Sequence, residues 1–215
     1  MKLAFPFFLI AFCFLTSMLF AQGPSTRDRM PPLAPDKMTP AQKKSVELLS
    51  ATPRGAAGVG GPFVPLLRSP EFMDRLQNVG EYLRFKSSLP QKLVEMTILM
   101  IGRQWTQQYE WFTHYPLALK QGLKLEVATA IAEGRRPTGM TDEEEMVWDF
   151  NTELATNKSV SDGTYTRLVQ KFGEQGAVDL AGVNGYYTTL AMVMSMAHTP
   201  SPTSPAVPPL VPYAK

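Results

Sequence analysis

Between about residues 62 and 198 the apolar residues recur at three- and four-residue intervals, and no alternating run competes with them. That single feature commits the chain to helices and excludes a sheet-based fold, so the class is all-α. Helix punctuation divides the stretch. In SPEFMDRLQNVGEYLRF, Phe72, Leu76, Val79 and Leu83 share one helical face, with Ser69 and Pro70 as cap and first residue. LPQKLVEMTILMIGRQW begins at Pro90 and presents Leu93, Met96, Ile98, Met100 and Ile101 on a broad apolar face. Thr106 is placed to cap a following helix that runs through His114 to Gln121, with Gly122 as its stop. A short amphipathic helix then ends at Gly134. Thr141 with Asp142, Glu143 and Glu144 forms a capping box before MVWDFNTELAT. Ser161 and Asp162 open a helix that stops at Gly173. The last helix, EQGAVDLAGVNGYYTTLAMVMSMA, is apolar on most sides and is expected to be the buried central one, with Met192, Met194 and Met196 filling core.

The flanks read differently. Residues 1–21 combine Lys2 with an apolar run from Leu3 to Phe20 and the small residue Ala21, the pattern of an export signal cleaved before Gln22. An uncleaved membrane anchor is the alternative for that run. The expected location is therefore outside the cytoplasm, periplasmic or extracellular. Residues 22–60 are rich in Pro and Gly and are expected to be a flexible arm or linker, with one short helix after Thr39 and Pro40. The helical domain spans 61–198. Residues 199–215 are too rich in proline for a helix and are expected to be an extended, mobile tail.

Composition narrows the function. The net charge of +2, with no run of Lys or Arg, gives no electrostatic footprint for nucleic acid. Cys13 is the only cysteine and lies in the signal-like run, so loss of that run leaves no thiol, no disulfide and no Cys-based metal site.

The chemistry concentrates in QWTQQYEWFTH and the helix before it. If the two helices around Gln104–Thr106 form an antiparallel hairpin, Glu95 and His114 lie at similar depth on facing helices. Glu110 and His114 are four apart, and Gln107 precedes Glu110 by three, so all four side chains converge on one place. Glu95 interrupts the apolar run KLVEMTILMI, where an ionised carboxylate needs a partner. Beside an imidazole the two can exchange protons near neutrality. Two other readings of these residues stay open: a Glu–His hydrogen bond that only locks the hairpin, and a metal site of Glu95, Glu110 and His114.

Three stretches, GPFVPLLRSPEF, LPQKLVEMTILMIGRQWTQQYEWFTHYPLALKQGL and NGYYTTLAM, resemble the carboxymuconolactone decarboxylase family of the alkyl hydroperoxidase D-like superfamily. The likeness covers about residues 60–197. It implies six or seven helices and assembly into homotrimers or hexamers. In the redox-active branch a glutamate precedes Cys-x-x-Cys and then a histidine. Here Glu95 and His114 match, while Gln107 and Glu110 occupy the cysteine positions. That replacement excludes the thiol peroxidase chemistry of that branch.

What the resemblance then implies is a lyase or isomerase working without a cofactor or metal on a small carboxylated, lactone-like compound. His114 would shuttle the proton and Glu95 orient it. Gln107, Glu110 and Tyr109 would bind the substrate, and Arg103 would pair with its carboxylate. The expected partners are a small molecule and further copies of the chain, with no nucleic acid and no membrane beyond an uncleaved N-terminus. The alternative is a non-catalytic exported helical oligomer that keeps the pocket for binding or structure.

Overall fold

A computed structural model of the chain describes residues 27–212. The signal-like run and Cys13 lie outside the described residues, as do residues 213–215. Among the described residues there are eight α-helices and no strand. They are α1 Pro40–Ser50, α2 Phe63–Leu66, α3 Pro70–Phe85, α4 Gln91–Trp105, α5 Gln108–Lys120, α6 Leu125–Ala132, α7 Asp142–Asn157 and α8 Asp162–Ala197. The all-α class is thus observed. None of these helices is long and apolar enough to cross a membrane.

The most enclosed element is α4, and not the last helix as the sequence suggested. All eleven residues from Leu93 to Arg103 are buried, because α5, α6, α7 and α8 surround this helix. The C-terminal half of α8 buries one face only: Met194 is in the core, whereas Met192 and Met196 are about half exposed. Alternate residues on a helix point apart, so three methionines at that spacing cannot all be core. At Gly173 the backbone takes φ 72°, ψ 172°, which breaks α8 where the sequence placed a stop. Thr141 and Glu144 form the expected capping box. Buried Glu144 also pairs with Lys92 at 2.8 Å, tying α7 to α4. Deeper in, Asn151 donates to Thr97 Oγ1 at 3.0 Å and accepts from Asn184 at 2.7 Å, linking α7, α4 and α8 through a buried polar chain.

The buried face of α3 is turned from the one read in the sequence. Met73, Gln77, Gly80 and Leu83 are inside, while Phe72 and Val79 are 44% and 50% exposed. The cause is Gly80, where an added Cβ would lie 2.2 Å from the Tyr186 ring. A glycine at the crossing lets α8 come close, and a face judged by large apolar residues misses it.

Both flanks are attached to the domain. In the 27–60 segment Thr39 and Gln42 form a capping box on α1, and Leu49 and Ser45 are buried. Arg68 donates to the Pro31 carbonyl, and Arg29 N–H donates to Ala197 O at 2.8 Å. The C-terminal segment is extended, as its prolines require, yet it lies along the α4–α5 hairpin. Trp111 Nε1 donates to Pro208 O at 2.8 Å, and Arg103 Nη1 donates to Val211 O at 2.7 Å. The Gln108 side chain both donates to Leu210 O and accepts from Leu210 N. Val207 and Leu210 are buried in the cluster around Trp111. An extended proline-rich chain leaves its carbonyls unpaired, so three donors on one helical hairpin suffice to hold it.

Ending the chain after Thr203 removes Val207, Leu210 and the acceptor of the Trp111 indole. Burial of two aliphatic side chains is worth about 3–6 kcal/mol before the ordering entropy of the segment is subtracted. The truncated chain should melt lower by about 5 °C or more and show red-shifted tryptophan fluorescence. An unchanged midpoint in calorimetry would show that the segment adds nothing to stability.

Candidate functional site

The site is assembled by the α4–α5 hairpin. Helix α4 ends when Thr106 turns left-handed at φ 47°, and Gln107 N–H returns to Gly102 O at 2.7 Å. Gln107, not Thr106, is therefore the N-cap of α5, its side chain accepting from Tyr109 N at 3.1 Å. This compact reversal puts the middle of α5 beside the middle of α4. His114 Nδ1 lies 2.6 Å from Glu95 Oε2, and His114 Nε2 lies 3.4 Å from Glu110 Oε2. All three side chains are at least 95% buried. His114 also meets the edge of Tyr187, with ring centroids 5.3 Å apart at 86°.

The hydrogen-bond pattern sets the tautomer. With Nδ1–H donating to the Glu95 carboxylate, the Nε2 lone pair faces Glu110. Burial lowers the His114 pKa below its ordinary value, opposed by the Glu95 charge and hydrogen bond and reinforced by Arg84 and Arg54. Burial also raises Glu110 from 4.5 to about 8, with Arg84 and Arg54 pulling against it and Glu95 adding to it. Near neutral pH the result is a neutral imidazole beside a protonated carboxyl. The 3.4 Å separation of Nε2 and Glu110 Oε2 is longer than a strong hydrogen bond. Glu110 Oε1 is buried with no hydrogen-bond partner.

Glu110 and His114 form one wall of a cavity of about 300 Å³, with Glu95 behind the imidazole. Tyr109, Thr113, Tyr187 and Leu190 continue the wall. The lining is completed by Arg84 and Phe85 from the end of α3, and by Pro53, Arg54, Gly58, Gly60 and Pro62 from the chain between α1 and α2. Gly61, at φ 53°, crosses the Tyr109 ring so closely that a Cβ would lie 2.3 Å from it. Only glycine fits both the left-handed backbone and the contact.

Of the residues singled out in the sequence, the structure brings Glu95, Glu110, His114 and Tyr109 together at this cavity. Gln107 is not part of it: its amide donates to Ser195 Oγ at 3.1 Å and approaches Ala191 O, anchoring α5 to α8. Arg103 is not part of it either. Its guanidinium holds the C-terminal segment through Val211 O and lines a separate cleft with Tyr115 and Pro208. Positions 95 and 103 lie about two turns, roughly 12 Å, apart along α4 and so meet different neighbours. The cations that do reach the cavity are Arg54 and Arg84. Arg54 went unrecognised because SATPRGAAGVGGP carries no periodicity and reads as linker; an arginine in an uncharged Gly/Pro-rich loop was the available signal. Among the described residues no group of three His, Cys, Asp or Glu is arranged to hold a metal ion.

In comparisons with known proteins, the chain matches no family model and no curated protein.

The buried acid makes stability depend on pH in a defined direction. Below pH 4.5 Glu110 is protonated whether the chain is folded or not. As pH rises the unfolded chain ionises first, so the folded state loses stability progressively until about pH 8. His114 acts in the opposite sense, costing stability as pH falls through the ordinary histidine value of 6.5. Between pH 6.5 and 8 only the Glu110 contribution operates. Over that interval the melting temperature of the parent should fall by about 5 °C relative to Glu110→Gln. Parallel profiles in a pH series of melting curves would show that Glu110 ionises normally in the folded protein.

Proposed function

We infer that the chain is a lyase or isomerase of the carboxymuconolactone decarboxylase type, moving protons on a small carboxylated compound without thiol chemistry. The observation that carries this reading is the buried array Glu95–His114–Glu110, of which His114 and Glu110 line a cavity. Catalysts of this kind need a proton donor and acceptor held at different protonation states in a dry site. Glu110, protonated with one oxygen unpartnered, has the form of a general acid. His114 is the relay, its Nε2 within reach of Glu110, and Glu95 fixes its tautomer and balances the imidazolium when it forms. The spacing of Glu95 and His114 in the resembling family supports the same assignment. Gln107 and Glu110, at the positions of that family's cysteines, divide into a helix cap and an acid.

Loss of CO₂ from a carboxylated unsaturated lactone leaves an electron pair delocalised as an enolate, which is quenched by a proton at carbon. In this cavity the proton comes from Glu110, and a proton taken up from solvent on His114 Nε2 and passed to the Glu110 carboxylate restores it. The reading places the reaction outside the cytoplasm if residues 1–21 act as an export signal, and it keeps a homo-oligomer as the working unit.

Incubation of the purified protein with 4-carboxymuconolactone, followed by loss of substrate absorbance, tests it. The parent should turn over, while His114→Ala and Glu95→Gln should be slower by about a hundredfold or more. Melting curves of both variants separate chemistry from stability. Variants that melt lower yet match the parent's rate would leave the pair as a structural lock and contradict the reading.

A further inference from the structure

Two guanidinium groups face the cavity, and neither has an acid to neutralise it. Among the described residues Arg54 and Arg84 form no ion pair. Both are held close to the same aromatic ring: the Arg54 guanidinium carbon lies 5.6 Å and that of Arg84 5.2 Å from the Phe85 centroid. Arg54 is further fixed over Phe63 at 5.3 Å and by donation from Nη2 to Tyr186 OH at 3.2 Å. Its Nε is buried with no partner. Aromatic faces hold a cation in place without neutralising it, so the two charges persist and repel one another. The nearest acid in the wall, Glu110, is protonated near neutral pH and offers no compensation. Both side chains are part-buried at the cavity, so a bound anion would meet two cations with no protein carboxylate competing for them.

We propose that Arg54 and Arg84 form a carboxylate clamp in the cavity that His114 also lines, so that the site selects small organic carboxylates. This deepens the proton-transfer reading of the same cavity and rests on it for the choice of carboxylate over other anions. A guanidinium offers two parallel N–H donors that match the two oxygens of a carboxylate. With guanidinium donors and the Glu110–His114 array lining one cavity, a molecule held by its acid group would bring its carbon skeleton near the proton donor. A cavity of about 300 Å³ lies at the small end of ligand sites, which suits a small organic acid. Arg54 lies outside the stretch that resembles the decarboxylase family and Arg84 within it, so the N-terminal segment contributes half of the clamp.

Calorimetric titration of the full chain with maleate and with crotonate, against dimethyl maleate and sulfate, provides the test. At least one carboxylate should bind at millimolar concentration or tighter, and the neutral ester should not. Arg54→Gln and Arg84→Gln should each weaken that binding by about ten- to hundredfold. His114→Ala should retain it, which separates the clamp from the proton chemistry. Arg54→Lys keeps the charge over Phe63 and Phe85 but not the fork, and should lose part of the affinity; it carries the test if Arg54→Gln does not fold. Failure of both carboxylates to bind would overturn the clamp, as would binding unaffected by either arginine variant. Sulfate competing as well as maleate would overturn the selectivity for carboxylates. If a turnover assay succeeds and the arginine variants leave KM unchanged, the clamp is wrong while the proton-transfer reading stands.

Discussion

Glu95 sits in the most enclosed helix of the protein, and most of the site's construction answers to that one carboxylate. Taking a carboxylate out of water costs several kcal/mol unless a partner and hydrogen bonds compensate it. The partner is His114, 2.6 Å away on the next helix. For the imidazole to arrive there, α4 must reverse into α5 within a few residues. The left-handed Thr106 and the Gln107 cap provide that reversal. The hairpin in turn is clamped from outside by the C-terminal segment through Arg103, Gln108 and Trp111. The pair is therefore held by elements that have no part in the cavity.

The second carboxyl gives the arrangement its chemical asymmetry. Glu95 and Glu110 flank the same imidazole, yet only Glu95 is hydrogen-bonded to it. One oxygen of Glu110 faces a histidine nitrogen and the other is buried without a partner, with burial keeping the proton on. Two acids around one histidine, separated in their preferred protonation states, make a path along which a proton can move in either direction. The cavity arginines bias it: they act to lower both the Glu110 and the His114 pKa and so keep the site from becoming inertly protonated.

The class of fold and the Glu95–His114 contact were legible because both depend on local rules. Helical period and capping residues mark the hairpin, and equal distances from its turn put positions 95 and 114 at one depth. What was hidden depends on tertiary packing. The inward face of α3 follows Gly80 and its approach to Tyr186, which no count of large apolar residues reveals. The enclosure of α4 reflects its four neighbours more than its own composition. Arg103 and Gln107 lay near the right chemistry in sequence but turn toward the C-terminal segment and α8. Arg54 reaches the site because a Gly/Pro-rich segment folds over it, and irregular segments carry no period from which direction can be read. The proline-rich tail was correctly non-helical, but its carbonyls find donors only in the assembled fold.

Nitrogen-15 NMR of the imidazole rings across pH 5 to 8 tests the central claim most directly. His114 and His198 are the only histidines, and His198, left-handed at φ 55°, can be replaced by asparagine without backbone strain. The remaining ring should stay neutral across neutrality, with its proton on Nδ1 facing Glu95 and an unprotonated Nε2 facing Glu110. A His114 ring that titrates as an ordinary histidine, with both nitrogens protonated at mildly acid pH and exchanging between tautomers above it, would contradict the buried proton array.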